Sequence, residues 1–338
     1  MNLRLLLVLL TALSYVAIGV TWFLTNPSEE VKEAEPPFFY TVSPDDLRNI
    51  EIKTGDTKAS WSLREANRRW YFDNLNNIPA DPYRWGGITQ LLGGPRTKRV
   101  LGAADNAEAL YGLDNPTTTI SVTLRDQSQI KLILGGLTPD GINHYARLER
   151  VESSELVLVD ASWGGVLERL VNDPPLPEWY YTLNGKVREV ILFTNNEVLR
   201  AYGFNRDDEL WYICEVPLET DPCTGSQLAD ADALNEEINH FGNPVIQGAV
   251  ALRLDDDDEY VPFGTTVDSP YIAVRVENKN ASNVTEVTRL TMTIGNKTED
   301  GKSRYAVANE TSDVIAVDLQ WADRVLDMFF GELLVANK

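Results

Sequence analysis

Histidine and cysteine are almost missing from this chain: two of each occur in 338 residues, with three methionines. So few soft or nitrogen ligands exclude a cysteine-rich zinc site, a haem ligand pair and an iron–sulfur cluster, and leave only sites built from carboxylates. Positive charge is also scarce. Thirty Lys and Arg stand against 51 Asp and Glu, a formal net charge of −21, and binding to a phosphate backbone needs the opposite balance. Nucleic acid is therefore excluded as a main partner. No G-x-S-x-G turn is present to carry a nucleophile. The glycine pairs Gly93-Gly94, Gly135-Gly136 and Gly164-Gly165 form neither G-x-G-x-x-G nor a P-loop, so they read as turn and cap glycines rather than a phosphate cradle.

What remains is ordinary globular material with one unusual end. The hydrophobic fraction is 43%, with 22 Gly and 17 Pro, close to the composition of folded domains. Residues 5–24, LLLVLLTALSYVAIGVTWFL, carry no charge, and about 20 such residues cross the hydrocarbon core as a helix. A retained anchor is expected over residues 1–25. A cleaved signal peptide is the alternative, but Val16-Ala17-Ile18 is a poor cleavage signal and Trp22-Phe23 lengthens the apolar run. Arg4 lies before the run and Glu29, Glu30, Glu33 and Glu35 after it, which predicts a cytoplasmic N-terminus and an extracytoplasmic bulk. Residues 26–37, NPSEEVKEAEPP, read as an extended acidic linker.

Cys214 and Cys223 enclose a loop holding Pro217 and Pro222. In an oxidising, extracytoplasmic compartment this pair is a disulfide candidate, with two free thiols as the alternative. Sequons at Asn280, Asn283, Asn296 and Asn309 receive no function, because such tripeptides arise by chance.

The rest of the chain reads twice. DLRNIEIKTGDTKASWSLREANRRWYFD is matched by KVREVILFTNNEVLRAYGFNRDDELWYIC, pairing Ile50 with Val190 and Trp70 with Trp211. Alternation such as Ile50, Ile52 and Trp61, Leu63 predicts three short antiparallel strands at each opening. A helix follows in each copy, from Asp81-Pro82 to Gly93-Gly94-Pro95 in the first and from Asp230 through Leu234, Ile238 and Phe241 to Gly242 in the second. The copies realign at Pro116 and Pro270, and at the hairpin turns Asp140-Gly141 and Asp300-Gly301. Tyr145 then matches Tyr305, and closing helices match Trp163 with Trp321.

The expected fold is α+β: an N-terminal transmembrane helix, then two tandem repeats of a mostly antiparallel sheet with helices on one side. The repeats occupy residues 38–170 and 181–338, joined by a proline-rich linker at 171–180.

The first copy's NIEI strand, its W-Y-F strand, ADPYRW, the YGLDNP corner and the LILGGLTPDGINHYARL hairpin resemble the bacterial domain family DUF4340 over roughly residues 40–170. The second copy lacks the corner leucine and the hairpin Thr-Pro. The resemblance implies a membrane-anchored extracytoplasmic protein, often accompanying ABC-type transport components of the gliding-motility kind. It carries over no catalytic residue.

Candidate chemistry is sparse. His144 on a hairpin strand and His240 near a helix end lack the nucleophile and carboxylate of a triad. The run DDDDE at residues 255–259 has neither the spacing nor the glycine of a calcium loop and is expected to be a solvated loop. Trp70, Trp163, Trp211 and Trp321 recur at duplicated positions and are expected in the core. Trp85 and Trp179 are the candidates for exposed, sugar-stacking rings. No catalytic, cofactor or metal residue is assigned. The expected role is a non-enzymatic, membrane-anchored extracytoplasmic interaction or accessory protein. Its partner would be a membrane protein, possessing a place in an ABC-type transport or gliding-motility-like envelope complex. The alternative is an extracytoplasmic carboxylate-based hydrolase or glycan-binding protein, and a third reading is a structural spacer.

Overall fold

A computed structural model describes residues 40–75, 77–103, 108–150, 153–218, 223–280 and 282–336. The expected membrane span and acidic linker lie outside the described residues. Among those described, no helix is long and apolar enough to cross a membrane.

The first repeat opens as a meander: β1 (Leu47–Thr54), β2 (Thr57–Arg64), β3 (Arg69–Phe72) and the short β4 (Ile78–Pro79). The alternating apolar positions put one face inside. Ile50 lies opposite Trp61 in the β1–β2 register, and Ile50, Ile52 and Trp61 are fully buried. Two short helices follow, α1 (Pro82–Trp85) and α2 (Ile88–Gly93). The sequence predicts one helix here; Gly86 and Gly87 interrupt it, since glycine gives the weakest hold on helical dihedrals. The chain then makes β5 (Arg99–Ala103) and a second meander, β6 (Thr118–Leu124), β7 (Gln129–Leu137), β8 (Asn143–Arg150) and β9 (Ser153–Asp160), closed by α3 (Ser162–Asn172). Trp163, Leu167 and Val171, one helical face at a spacing of four, are the buried residues of α3. Burying each contributes about 1.5–3 kcal/mol.

The second repeat follows the same order: β10 (Lys186–Thr194), β11 (Glu197–Asn205), β12 (Leu210–Ile213), β13 (Gln227–Leu228), α4 (Ala231–Phe241) and β14 (Ile246–Ala251). Then come α5 (Asp257–Tyr260), β15 (Tyr271–Lys279), β16 (Thr285–Lys297), β17 (Ser303–Ala308), β18 (Val314–Asp318) and α6 (Leu319–Phe330). Asp230 and Asp318 cap α4 and α6, accepting from Ala233 N at 3.0 Å and Trp321 N at 3.0 Å. The DDDDE run is not the expected loop. Glu259 reaches back to the amides of Asp255 and Asp256 at 2.9 and 3.3 Å, closing a capping box that folds the run into α5.

Two antiparallel nine-stranded sheets result, ordered β4-β3-β2-β1-β6-β7-β8-β9-β5 and β13-β12-β11-β10-β15-β16-β17-β18-β14. The orders are identical once the second is renumbered, so the sequence duplication is a duplication of topology. One close approach is also duplicated. A Cβ on Gly135 in β7 would lie 2.3 Å from the Tyr111 carbonyl, and one on Gly295 in β16 would lie 2.3 Å from the Phe263 carbonyl. Each carbonyl belongs to a 3-10 turn ended by a left-handed glycine, Gly112 and Gly264.

The two repeats are not separated by a loose tether. Ala249 in β14 donates to the Asn77 carbonyl at 3.2 Å and accepts from the Asn77 side-chain amide at 2.8 Å, so the sheets meet at their β4 and β14 edges. Leu75 and Leu176 each pack against both hydrophobic cores. At the far edge, the C-terminal segment covers β13, with Ala336 N donating to Leu228 O at 3.2 Å.

The crowding at Gly135 and Gly295 predicts that Gly135→Ala or Gly295→Ala destabilises the protein by about 1–3 kcal/mol. Gly141→Ala, where a Cβ meets nothing within 4 Å, should lose about 1 kcal/mol, from its left-handed backbone alone. Urea unfolding of the three variants against the parent measures both.

Candidate functional site

Three stretches of the first repeat and its linker face two of the second across the joint. Arg69 comes from β3. Asp81, Pro82 and Tyr83 come from the start of α1, and Pro177, Glu178 and Trp179 from the linker. Arg253 and Asp255 follow β14, and residues 310–313 form the turn between β17 and β18. Together they line a cleft of about 370 Å³.

Local rules fix most of these groups. Asp81 caps α1, accepting from Tyr83 N at 2.8 Å and Arg84 N at 3.0 Å, while its own amide donates to Pro175 O at 2.7 Å. Trp179 is fully buried, and its indole N–H therefore needs an acceptor. It donates to Asp313 Oδ2 at 2.8 Å, while Asp313 Oδ1 accepts the Arg253 amide at 3.0 Å. Arg253 has a left-handed backbone, φ 57°. Asn309 Nδ2 donates to Glu178 O at 2.7 Å, and Glu310 accepts from Tyr271 O–H at 2.8 Å.

Arg69 differs from its neighbours. Its Nε is buried without a hydrogen-bond partner among the described residues. Burial, and then the Arg253 guanidinium, pull its pKa below the ordinary arginine range, against the opposing charge of Asp313. The cleft is therefore a polar joint. Asp81 and Asp313 hold backbone and indole N–H groups, and the charge of Arg253 acts against that of Arg69.

A second hollow of about 410 Å³ lies on the second repeat beside Arg188, Phe204, Arg206 and Trp211. Glu277, whose side chain is 10% exposed, binds Arg188 Nε at 3.0 Å and also pairs with Arg206. Burial alone would raise the Glu277 pKa. The Arg188 hydrogen bond and the two cationic charges outweigh it and hold the carboxyl below its ordinary range. The Arg188 guanidinium also stacks 4.6 Å from the Phe204 ring centre.

Cys214 and Cys223 are joined by a disulfide that closes the loop between β12 and β13. Both are buried, and Cys223 N donates to the buried carboxylate of Glu189 at 2.8 Å. The two histidines stand in different repeats. His144 Nδ1 meets Gly135 O at 3.0 Å, and His240 Nε2 meets Trp321 O at 3.0 Å with the rings stacked. In each ring one nitrogen is spent on a backbone carbonyl. Trp85 and Trp179, the candidates for exposed rings, are 6% and 0% exposed. Trp85 instead packs between Trp61 and Trp70, with ring centres 5.2 and 5.4 Å away. Among the described residues, no group of three or more His, Cys, Asp or Glu side chains could hold a metal ion.

Sequence reasoning missed Arg69, Arg253 and Asp313. They lie far apart in the chain and carry no local spacing signal; only the edge-to-edge joint brings them together.

Residues 70–164 match the family described as a domain of unknown function, DUF4340. The DUF4340 match runs from β3 to the first turn of α3 and so lies within the first repeat. The second repeat shares that repeat's strand order but lies outside the DUF4340 match. No curated protein and no solved structure matches the chain.

Two predictions follow from these contacts. Trp179→Phe keeps the buried ring and removes the N–H to Asp313, and should lower stability by about 1–3 kcal/mol in urea unfolding. Glu277 has a folded pKa below its unfolded value of about 4.3. Its contribution is complete above the unfolded value and disappears as pH falls through the folded one. Glu277→Gln should therefore be less stable than the parent at neutral pH, by about 1–2 kcal/mol, and should lose less stability on acidification below about pH 4.5. Unfolding curves collected across that range show whether the two stabilities converge.

Proposed function

We propose that this protein is a single-pass, membrane-anchored extracytoplasmic accessory protein that acts by binding a membrane-protein partner rather than by catalysis. The observation that carries the reading is the combination of the uncharged run at residues 5–24 with the disulfide of the second repeat. The first has the length of a membrane span, and the second suits an oxidising compartment outside the cytoplasm. The charge asymmetry about the run supports a cytoplasmic N-terminus. Two sheets joined edge to edge are suited to presenting a fixed surface to a partner. An acidic domain is repelled by an anionic leaflet.

The kind of partner comes from the family resemblance: an integral component of an ABC-type transport or gliding-motility-like envelope complex. Every described tryptophan is buried, so sugar stacking on a tryptophan face loses support, while the carboxylate-based hydrolase remains the alternative reading.

Crosslinked purification of the full-length protein from its native host, against a control lacking residues 1–25, tests the role. An integral-membrane or ATPase partner in fixed stoichiometry, lost with the anchor, is the expected result; recovery of the protein alone contradicts it. Maleimide labelling of Cys214 and Cys223 in unfolded protein, expected only after reduction, checks the compartment independently.

A further inference from the structure

The duplication turns the joint between the repeats into a template. In the second repeat the outer edge of β14 is closed by Asn77 of the first, through both polar groups of Ala249. A Cβ on Gly248 would lie 2.6 Å from that of Asn77. The equivalent edge of the first repeat is β5. Asp160 and Trp163 match Asp318 and Trp321 at the same spacing, so Val157 in β9 corresponds to Ile315 in β18. Val100 pairs with Val157, and Ala249 pairs with Ile315. Val100 therefore stands in the first repeat where Ala249 stands in the second.

The two positions differ in what covers them. Ala249 is half-buried and Gly248 buried under Asn77. Val100 and Leu101 are 49% and 39% exposed, and a Cβ on Gly102 would meet nothing within 4 Å. Among the described residues nothing pairs with β5 beyond β9. The opposite outer edge, β13, is closed by the C-terminal segment. An uncovered strand edge offers its amides and carbonyls to any chain that arrives extended.

The charge on this edge selects the occupant. Lys98 and Arg99 are exposed at the entry to β5, Lys98 lying 3.4 Å from Asp160, a basic pair in a chain of net charge −21. Parallel pairing of β5 with a second copy would set these like charges side by side, and antiparallel pairing about Val100 would set the two Arg99 side chains diagonally across from each other, which disfavours both. We propose that the β5 edge binds an extended acidic segment of a partner protein, which adds as a tenth strand with its carboxylates toward Lys98 and Arg99. This deepens the accessory reading and rests on it for the existence of a protein partner.

The test uses the full-length protein in detergent and two heptapeptide probes, one alternating Glu with Val and Thr, the other carrying Lys in place of Glu. Hydrogen exchange read by mass spectrometry should show the acidic probe slowing the amides of residues 99–103 and leaving β14 unchanged. Val100→Pro removes one edge amide and should abolish that protection. The double variant Lys98→Glu with Arg99→Glu should weaken the acidic probe by about tenfold or more and reverse the preference toward the Lys probe. This second variant leaves the strand backbone intact and decides the matter if the proline variant does not fold. Protection elsewhere, equal binding of both probes, or a concentration-dependent dimer abolished by Val100→Pro would each overturn the proposal. Crosslinking separates the two levels. A partner still captured in native stoichiometry by the charge-reversed variant sinks the β5 edge alone, whereas no partner with either protein sinks the accessory reading.

Discussion

The indole N–H of Trp179 and its acceptor Asp313 set the frame on which the two repeats are mounted. A fully buried tryptophan in a connecting segment must satisfy its one polar atom, and here, set in the second repeat's core, it does so 2.8 Å from a carboxylate of that repeat's closing hairpin. That contact fixes the linker against β17 and β18. The same carboxylate then orders the chain leaving β14 through the Arg253 amide. With β14 held, its edge meets Asn77, and Leu75 and Leu176 are shared between the cores. A polar bond of modest net strength thus decides the geometry of a much larger apolar interface. The direction of the joint is polar and specific, whereas its stability is mostly hydrophobic.

Within each repeat the governing constraint is the alternation of side chains along the strands. Ile50, Ile52 and Trp61 on one side of the first sheet have counterparts in Val190, Leu192 and Tyr202, all 0–1% exposed. The helices cover that same apolar side. Four of the six described helices are capped by aspartates, Asp81, Asp230, Asp256 and Asp318, as a helix N-terminus favours, so part of the negative charge also fixes where helices begin. Glu259 makes the same point in the DDDDE run, which stays exposed as expected but closes its own capping box rather than remaining a loop.

Much of this was legible before any coordinates. The strand pairs at both openings, the Asp140-Gly141 and Asp300-Gly301 turns, and the core positions of Trp163 and Trp321 are local signals that repeat, and repetition separates them from chance. The helix after Asp81 was legible in its cap and its end but not in its break, because two glycines weaken a helix without forbidding it. The core positions of Trp85 and Trp179 were not legible, for a different reason. They lack duplicated counterparts because they serve features each present once, the aromatic cluster around Trp61 and the joint itself. The cleft of Arg69, Arg253 and Asp313 was illegible on principle, since its members meet only through a tertiary contact between two sheet edges.

The central claim is that the repeats form one cooperative body locked at this joint. Native-state hydrogen exchange on the full-length protein tests it most directly, by comparing the opening free energies of amides in β4, β14 and Trp179 with those in β1 and β15. The account predicts that the joint opens only with the cores, at the free energy of global unfolding. Joint amides exchanging several kcal/mol more readily, while both sheets stay protected, would contradict it and make the two repeats independent domains on a hinge.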